Sequence, residues 1–133
     1  VAVTHLIGAY EGAGTWYDAA RKSATYQIRQ TNRATTDGFE VTFKHDFDDG
    51  SVVEAAFGMT WLAPHLFRVE VAGSPVGNGY MFENVCHYHM KFGDTFVEVT
   101  YQSGGAELAV FGSSTTNAEG NYIAWREMLK RSQ

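Results

Sequence analysis

The chain has 133 residues, 19% of them charged and 14% aromatic, with a net charge of −5. A chain of this length is one domain, residues 1–133, able to bury roughly two-thirds of its unfolded surface. Lys and Arg are scattered, which argues against nucleic acid or an anionic membrane as partner; the single cysteine, Cys86, excludes an internal disulfide, and with no leader-like or membrane-length apolar run the expectation is a cytoplasmic protein.

Tyr10 to Tyr17 reads as the first strand and Ala19 to Lys22 as its turn. Four further turns divide the chain. Asp37-Gly38, Gly93-Asp94 and Gly104-Gly105 are two-residue dipeptides of the kind that supply the positive φ of tight hairpins. Asp48-Asp49-Gly50 offers a three-residue loop with Gly50 in the left-handed position. Between them the residues alternate, as in Phe39-Glu40-Val41-Thr42-Phe43-Lys44-His45, with the period of a half-buried strand.

The turns also set register, since a one-residue slip would turn every side chain over. Asp37-Gly38 sets Gln30 against His45 and Asn32 against Phe43. The 48–50 loop sets His45 against Val53 and Val41 against Phe57. A loop at Ala63-Pro64-His65 brings Trp61 beside Phe67. Gly93-Asp94 sets Tyr88 against Val99 and Cys86 against Tyr101, and Gly104-Gly105 sets Tyr101 against Leu108. The inner face then gathers Tyr26, Phe39, Phe43, Phe47, Val53 and Phe57, later Trp61, Tyr80, Phe82, Tyr88 and Tyr101. The last segment, Asn121 to Arg131, reads as a strand with Ile123, Trp125 and Leu129 on one face, or as a helix grouping Tyr122, Trp125 and Leu129. The strand is preferred, because the 117–120 loop then closes a hairpin onto Ala106 to Thr116. Nine or ten antiparallel strands with short connections hide their oily face and edges best by closing. The expected fold is an all-β, antiparallel up-and-down barrel.

Gly14-Thr15-Trp16 resembles the G-x-W signature that opens lipocalins. In that family the Trp plugs the closed end of the barrel and a basic residue near the last strand covers it, a part the resemblance gives to Arg126 or Arg131. Leu6-Ile7-Gly8-Ala9-Tyr10-Glu11-Gly12 resembles the L-x-G-x-W-x-G opening of nitrobindin-like haem barrels, with Tyr10 in place of the Trp. Fatty-acid-binding proteins share the length and a G-x-W start, but need a helix-turn-helix for which Ala19 to Ser23 leaves no room. The resemblance implies a lipocalin-like, calycin-type barrel.

His45, Gln30 and Asn32 fall on the apolar face of neighbouring strands, where an imidazole beside amides can orient a ligand or exchange protons with it. Tyr88, Tyr101, Asn84 and Cys86 form a second inward polar group, and Tyr26, Phe57 and Trp61 supply flat walls. Cys86 lacks a basic neighbour and reads as a buried thiol. His87, His89 and Glu98 have the spacing of a strand-borne metal site but fall on the outer face, so no metal is assigned. The leading expectation is a barrel that binds a small apolar or aromatic molecule, needs no cofactor and is compatible with a homodimer. One alternative is a cofactor-independent lyase, isomerase or decarboxylase-type enzyme with His45 as acid/base and Tyr88 or Tyr101 stabilising an oxyanion. The other is a haem barrel of the nitrobindin type, with His45 or His65 as axial ligand.

Overall fold

The structure, a computed structural model, describes residues 3–116 and 122–132. Ten strands follow one another: β1 (Gly8–Asp18), β2 (Ser23–Thr35), β3 (Gly38–Phe47), β4 (Val52–Ala63), β5 (Leu66–Val71), β6 (Ser74–Phe82), β7 (Val85–Phe92), β8 (Thr95–Gly104), β9 (Glu107–Thr116) and β10 (Tyr122–Arg131). Each pairs antiparallel with its sequence neighbours, and β10 pairs with β1 to close the barrel. Closure leaves no sheet edge to template aggregation and gives the aromatic-rich alternation one shared interior. The final segment is a strand, as expected; the 117–120 loop lies outside the described residues.

The expected register holds across β3–β4 (His45 opposite Val53), at Trp61–Phe67 and across β7–β8 (Tyr88 opposite Val99). Two hairpins differ from it by two residues. Thr35 pairs with Gly38, so Thr36-Asp37 makes the β2–β3 turn and Gly38 belongs to β3. The glycine is required there by a close approach: a Cβ on Gly38 would stand 1.7 Å from the Met59 carbonyl oxygen. Gly104 likewise pairs with Glu107, and Gly105, at φ +63°, starts the β8–β9 turn. A shift of two keeps every side chain on its face but changes its partner. His45 lies opposite Ile28, Gln30 opposite Phe43 and Tyr101 opposite Val110.

A third correction concerns β6. Tyr80 and Phe82 point outward, 41% and 53% exposed, while Met81 is 1% exposed. The Glu83-Asn84 turn pairs Phe82 with Val85 and Met81 with Cys86, so inward parity passes from even residues in β7 to odd ones in β6. The inward positions include Gly79, where a Cβ would come within 2.3 Å of the Phe67 ring. Phe67 thus fills the space that an aromatic at position 79 would need. Val53 is also exposed, at the β4 end.

One end of the barrel is closed by the N-terminal turn. Leu6 is fully buried, and its carbonyl accepts from the Tyr10 hydroxyl at 3.1 Å and the Asn32 amide at 3.0 Å. Arg131 straps this turn down, donating to the carbonyls of His5 at 3.0 Å and of Ile7, with its guanidinium 5.1 Å from the Tyr10 ring centroid. The basic cover expected over Trp16 therefore lies over Tyr10. Trp16 stands opposite Trp125, six residues further along the same face of β1 and about 20 Å away at the usual strand rise. Arg126 is exposed.

Candidate functional site

Above the plug the interior is not filled. A cavity of about 180 Å³ lies among inward side chains of β2, β3, β4 and β7–β10. Gln30, Tyr88 and Tyr101 line it toward the closed end, and His45 and Glu127 stand among Phe43, Phe57 and Val110. Phe92, Val97 and Trp125 line it toward the end that carries the β7–β8 turn, where Phe92 is 40% exposed.

The polar centre is built by a row of three residues. Gly14 on β1 pairs with Tyr26 on one side and Glu127 on the other. Without a side chain at 14, the Tyr26 ring reaches across the strand and donates its hydroxyl to Glu127 Oε2 at 2.8 Å. A Cβ at Gly14 would lie 2.7 Å from Glu127 Cγ and 2.8 Å from Tyr26 Cζ. Gly112 makes similar room for Trp125, whose ring would lie 2.2 Å from a Cβ there. Small residues beside large ones let the taper of a closed barrel be packed while leaving one void.

His45 Nε2 stands 3.6 Å from Glu127 Oε2, with their side chains 15% and 3% exposed. The imidazole is stacked against Tyr26 at 4.7 Å and Phe43 at 4.4 Å between ring centroids. Burial pushes the Glu127 carboxyl up to about 7, against a smaller opposing effect of the Tyr26 hydrogen bond. Burial lowers His45 to about 4. Between those values the pair is neutral, a carboxylic acid beside an uncharged imidazole. The Tyr26 phenol is held well above its ordinary range by burial and then by the neighbouring carboxylate.

Tyr88 and Tyr101 share a hydrogen bond of 2.6 Å, and burial raises both phenols. One phenolic proton is used between them and one remains. At the cavity's lower edge, Asn32 donates to the Leu6 carbonyl at 3.0 Å, so its own oxygen must accept, and it does so from Gln30 Nε2 at 3.0 Å. That chain fixes which way the Gln30 amide faces, with one N–H used and its second N–H and its oxygen left over.

Of the residues expected at the site, His45, Gln30, Phe57, Tyr88 and Tyr101 line this cavity together. Tyr26 stands behind it and acts on Glu127. Asn32 belongs to the plug. Trp61 packs on Phe39 and Phe67, at 6.0 and 5.8 Å between ring centroids, and does not line the cavity. Asn84 is not inward: it sits in the β6–β7 turn and donates to the Ser103 carbonyl at 3.2 Å. Glu127 was missed, though a strand that turns Trp125 and Leu129 inward must turn residue 127 inward as well.

Cys86 is buried and its thiol is raised by burial. His89 is exposed opposite Glu98, and His87 contacts Thr100 Oγ1 at 2.9 Å and stacks on Tyr80 outside the barrel. Among the described residues no group of three metal-ligating side chains comes together. A haem does not fit. The cavity of about 180 Å³ has room for about one aromatic ring, and Glu127 Oε2 stands 3.6 Å from His45 Nε2. His65 lies in the β4–β5 turn with Nδ1 2.9 Å from the Met81 carbonyl.

No family model matches the chain, and no curated protein matches it by sequence. Solved structures do match it in shape. The S-type phycobiliprotein lyase CPES from Guillardia theta superposes with a TM-score of 0.77 at 9% identity, over 97% of this chain and 89% of that one. The Rv2717c protein from M. tuberculosis gives 0.75 at 12% identity, over 98% and 95%. A variant of the fluorescent protein UnaG gives 0.56 at 9% identity, over 99% of each chain. At such identities the likeness is one of architecture, and with the closed ten-strand barrel it establishes the fold as that of the lipocalin-like, calycin-type barrels.

Proposed function

We propose that this barrel binds a small, mainly apolar or aromatic molecule in its interior, oriented by the His45–Glu127 pair. The observation that carries the reading is a cavity of about 180 Å³ walled by rings and aliphatic side chains, with an acid and an imidazole 3.6 Å apart inside it. A void lined by Phe43, Phe57, Val99, Val110 and Trp125 leaves apolar surface without packing partners, and a ligand restores those contacts. Its size suits about one ring, with further atoms toward the mouth. Two of the matching structures are a phycobiliprotein lyase and a fluorescent protein, which is consistent with a barrel used to hold a small molecule. Native mass spectrometry of the protein isolated from its own cells tests this, together with titration of Trp125 fluorescence by a panel of one- and two-ring compounds. The expected result is a retained small molecule or saturable binding; an interior that takes nothing from the panel overturns the reading.

A second reading, cofactor-independent lyase, isomerase or decarboxylase-type catalysis, is favoured by one observation. A buried carboxyl raised to about 7 beside an imidazole lowered to about 4 gives an acid and a base in one dry site. If His45 is the base, His45→Gln lowers turnover of the bound molecule by about a hundredfold or more, while its affinity changes far less. Parallel loss of both would leave binding alone.

A further inference from the structure

We propose that the molecule this cavity selects is an organic cation, a compact aromatic or apolar group bearing a protonated amine whose ammonium sits against Glu127. This deepens the binding reading and rests on it. Glu127 is 3% exposed, and among the described residues only the Tyr26 hydroxyl donates to it. Among the described residues no Lys or Arg pairs with it, and burial holds the adjacent His45 imidazole uncharged near neutral pH. From β2 it meets Tyr26 and from β3 His45, while its charge is felt across the interior by Tyr88 on β7 and Tyr101 on β8. The neighbouring positions on β1 and β9 are Gly14 and Val110, which carry no charge. A carboxyl group carried into an apolar cavity without a cation is costly in its charged form unless something pairs it.

The rest of the polar lining points the same way. Gln30 gives one N–H to Asn32 and keeps its carbonyl oxygen beside a second N–H, and the uncharged His45 carries one ring nitrogen with a lone pair. The two tyrosines together leave one proton and several lone pairs. The site therefore offers mostly acceptors, and its natural complement is a group made only of donors. An ammonium has three donors and no acceptor, and the rings of Phe43, Phe57 and Trp125 add the attraction of aromatic faces for a cation. A carboxylate ligand sets its charge against Glu127 and finds fewer donors than acceptors.

Cation binding favours ionised Glu127, so near neutral pH it expels the proton that the empty site holds. Isothermal titration of three probes of similar size, phenethylamine, phenethyl alcohol and phenylacetate, in buffers of different ionisation enthalpy measures both affinity and proton release. The expected order is amine over alcohol over carboxylate. Amine affinity rises about tenfold between about pH 6 and pH 8, following ionisation of a carboxyl centred near 7, with proton release on binding at pH 6. Glu127→Gln removes the advantage of the amine over the alcohol. Alcohol or carboxylate binding the wild type as tightly as the amine overturns the proposal, as does amine affinity flat across this pH range. A Gln variant that folds and keeps the amine preference overturns it too. Failure of all three probes to bind overturns the cavity reading itself, and the cation proposal with it.

Discussion

Tyr26 and Glu127 meet over the bare backbone of Gly14, the phenol donating to the carboxylate at 2.8 Å and joining β2 to β10 across β1. The Gly of the G-x-W opening thus has a local task here, to keep clear the space in which the acid of the site is held.

Gly14→Ala is expected to destabilise the barrel by about 1–3 kcal/mol, because the new methyl overlaps packed side chains on both sides. Gly58→Ala is the matched control. A Cβ there meets only the Glu70 carbonyl oxygen at 3.9 Å, and its cost should stay within about 0.5 kcal/mol. Urea denaturation of the two variants checks the difference.

The acid and the imidazole make opposite contributions to stability as pH changes. Glu127 rises from 4.5 to about 7 on folding, so its contribution is present below 4.5 and is lost as pH climbs to 7. His45 falls from 6.5 to about 4, so its contribution is present above 6.5 and is lost as pH drops to 4. Between 4.5 and 6.5 the folded pair binds one proton, and so does the unfolded pair, one site having replaced the other. The wild type should therefore show little pH dependence from this pair over that interval. His45→Gln exposes the Glu127 slope, a loss of about 3 kcal/mol as pH rises from 4.5 to 7, and Glu127→Gln exposes the His45 slope, a similar loss as pH falls from 6.5 to 4. Denaturation midpoints across that range measure both slopes.

Tyr88 and Tyr101, each 1% exposed, satisfy one another at 2.6 Å. Tyr101→Phe or Tyr88→Phe alone strands a buried hydroxyl and should cost about 1–3 kcal/mol. The double variant, with neither hydroxyl left to satisfy, should cost less than the two single changes summed. A double-mutant cycle in urea reads the coupling directly.

The barrel and most of its lining were legible because period-two alternation and turn dipeptides constrain each other, as the β7–β8 hairpin shows. Turn positions were less legible: a glycine such as Gly38 is demanded by the neighbouring strand and not by the turn beside it. Tyr80 and Phe82 are hydrophobic yet outward, because the two-residue turn at Glu83-Asn84 assigns the inner face to Gly79 and Met81. Glu127 is the mirror case, a charged residue on an inward parity. Its depth depends on β1–β10 closure, a contact between the two ends of the chain that no local pattern announces.

Whether a small molecule enters the cavity beside His45 and Glu127 is answered most directly by intermolecular NOEs to a bound one-ring ligand. With methyl- and aromatic-labelled protein, phenethylamine should show NOEs to Val99, Val110 and Trp125, residues that line the 180 Å³ space. Its binding should also shift the Glu127 side-chain carboxyl resonance toward the ionised form. Saturable binding with NOEs only to outward residues such as Tyr80 and Phe111, and with Glu127 unmoved, would contradict it.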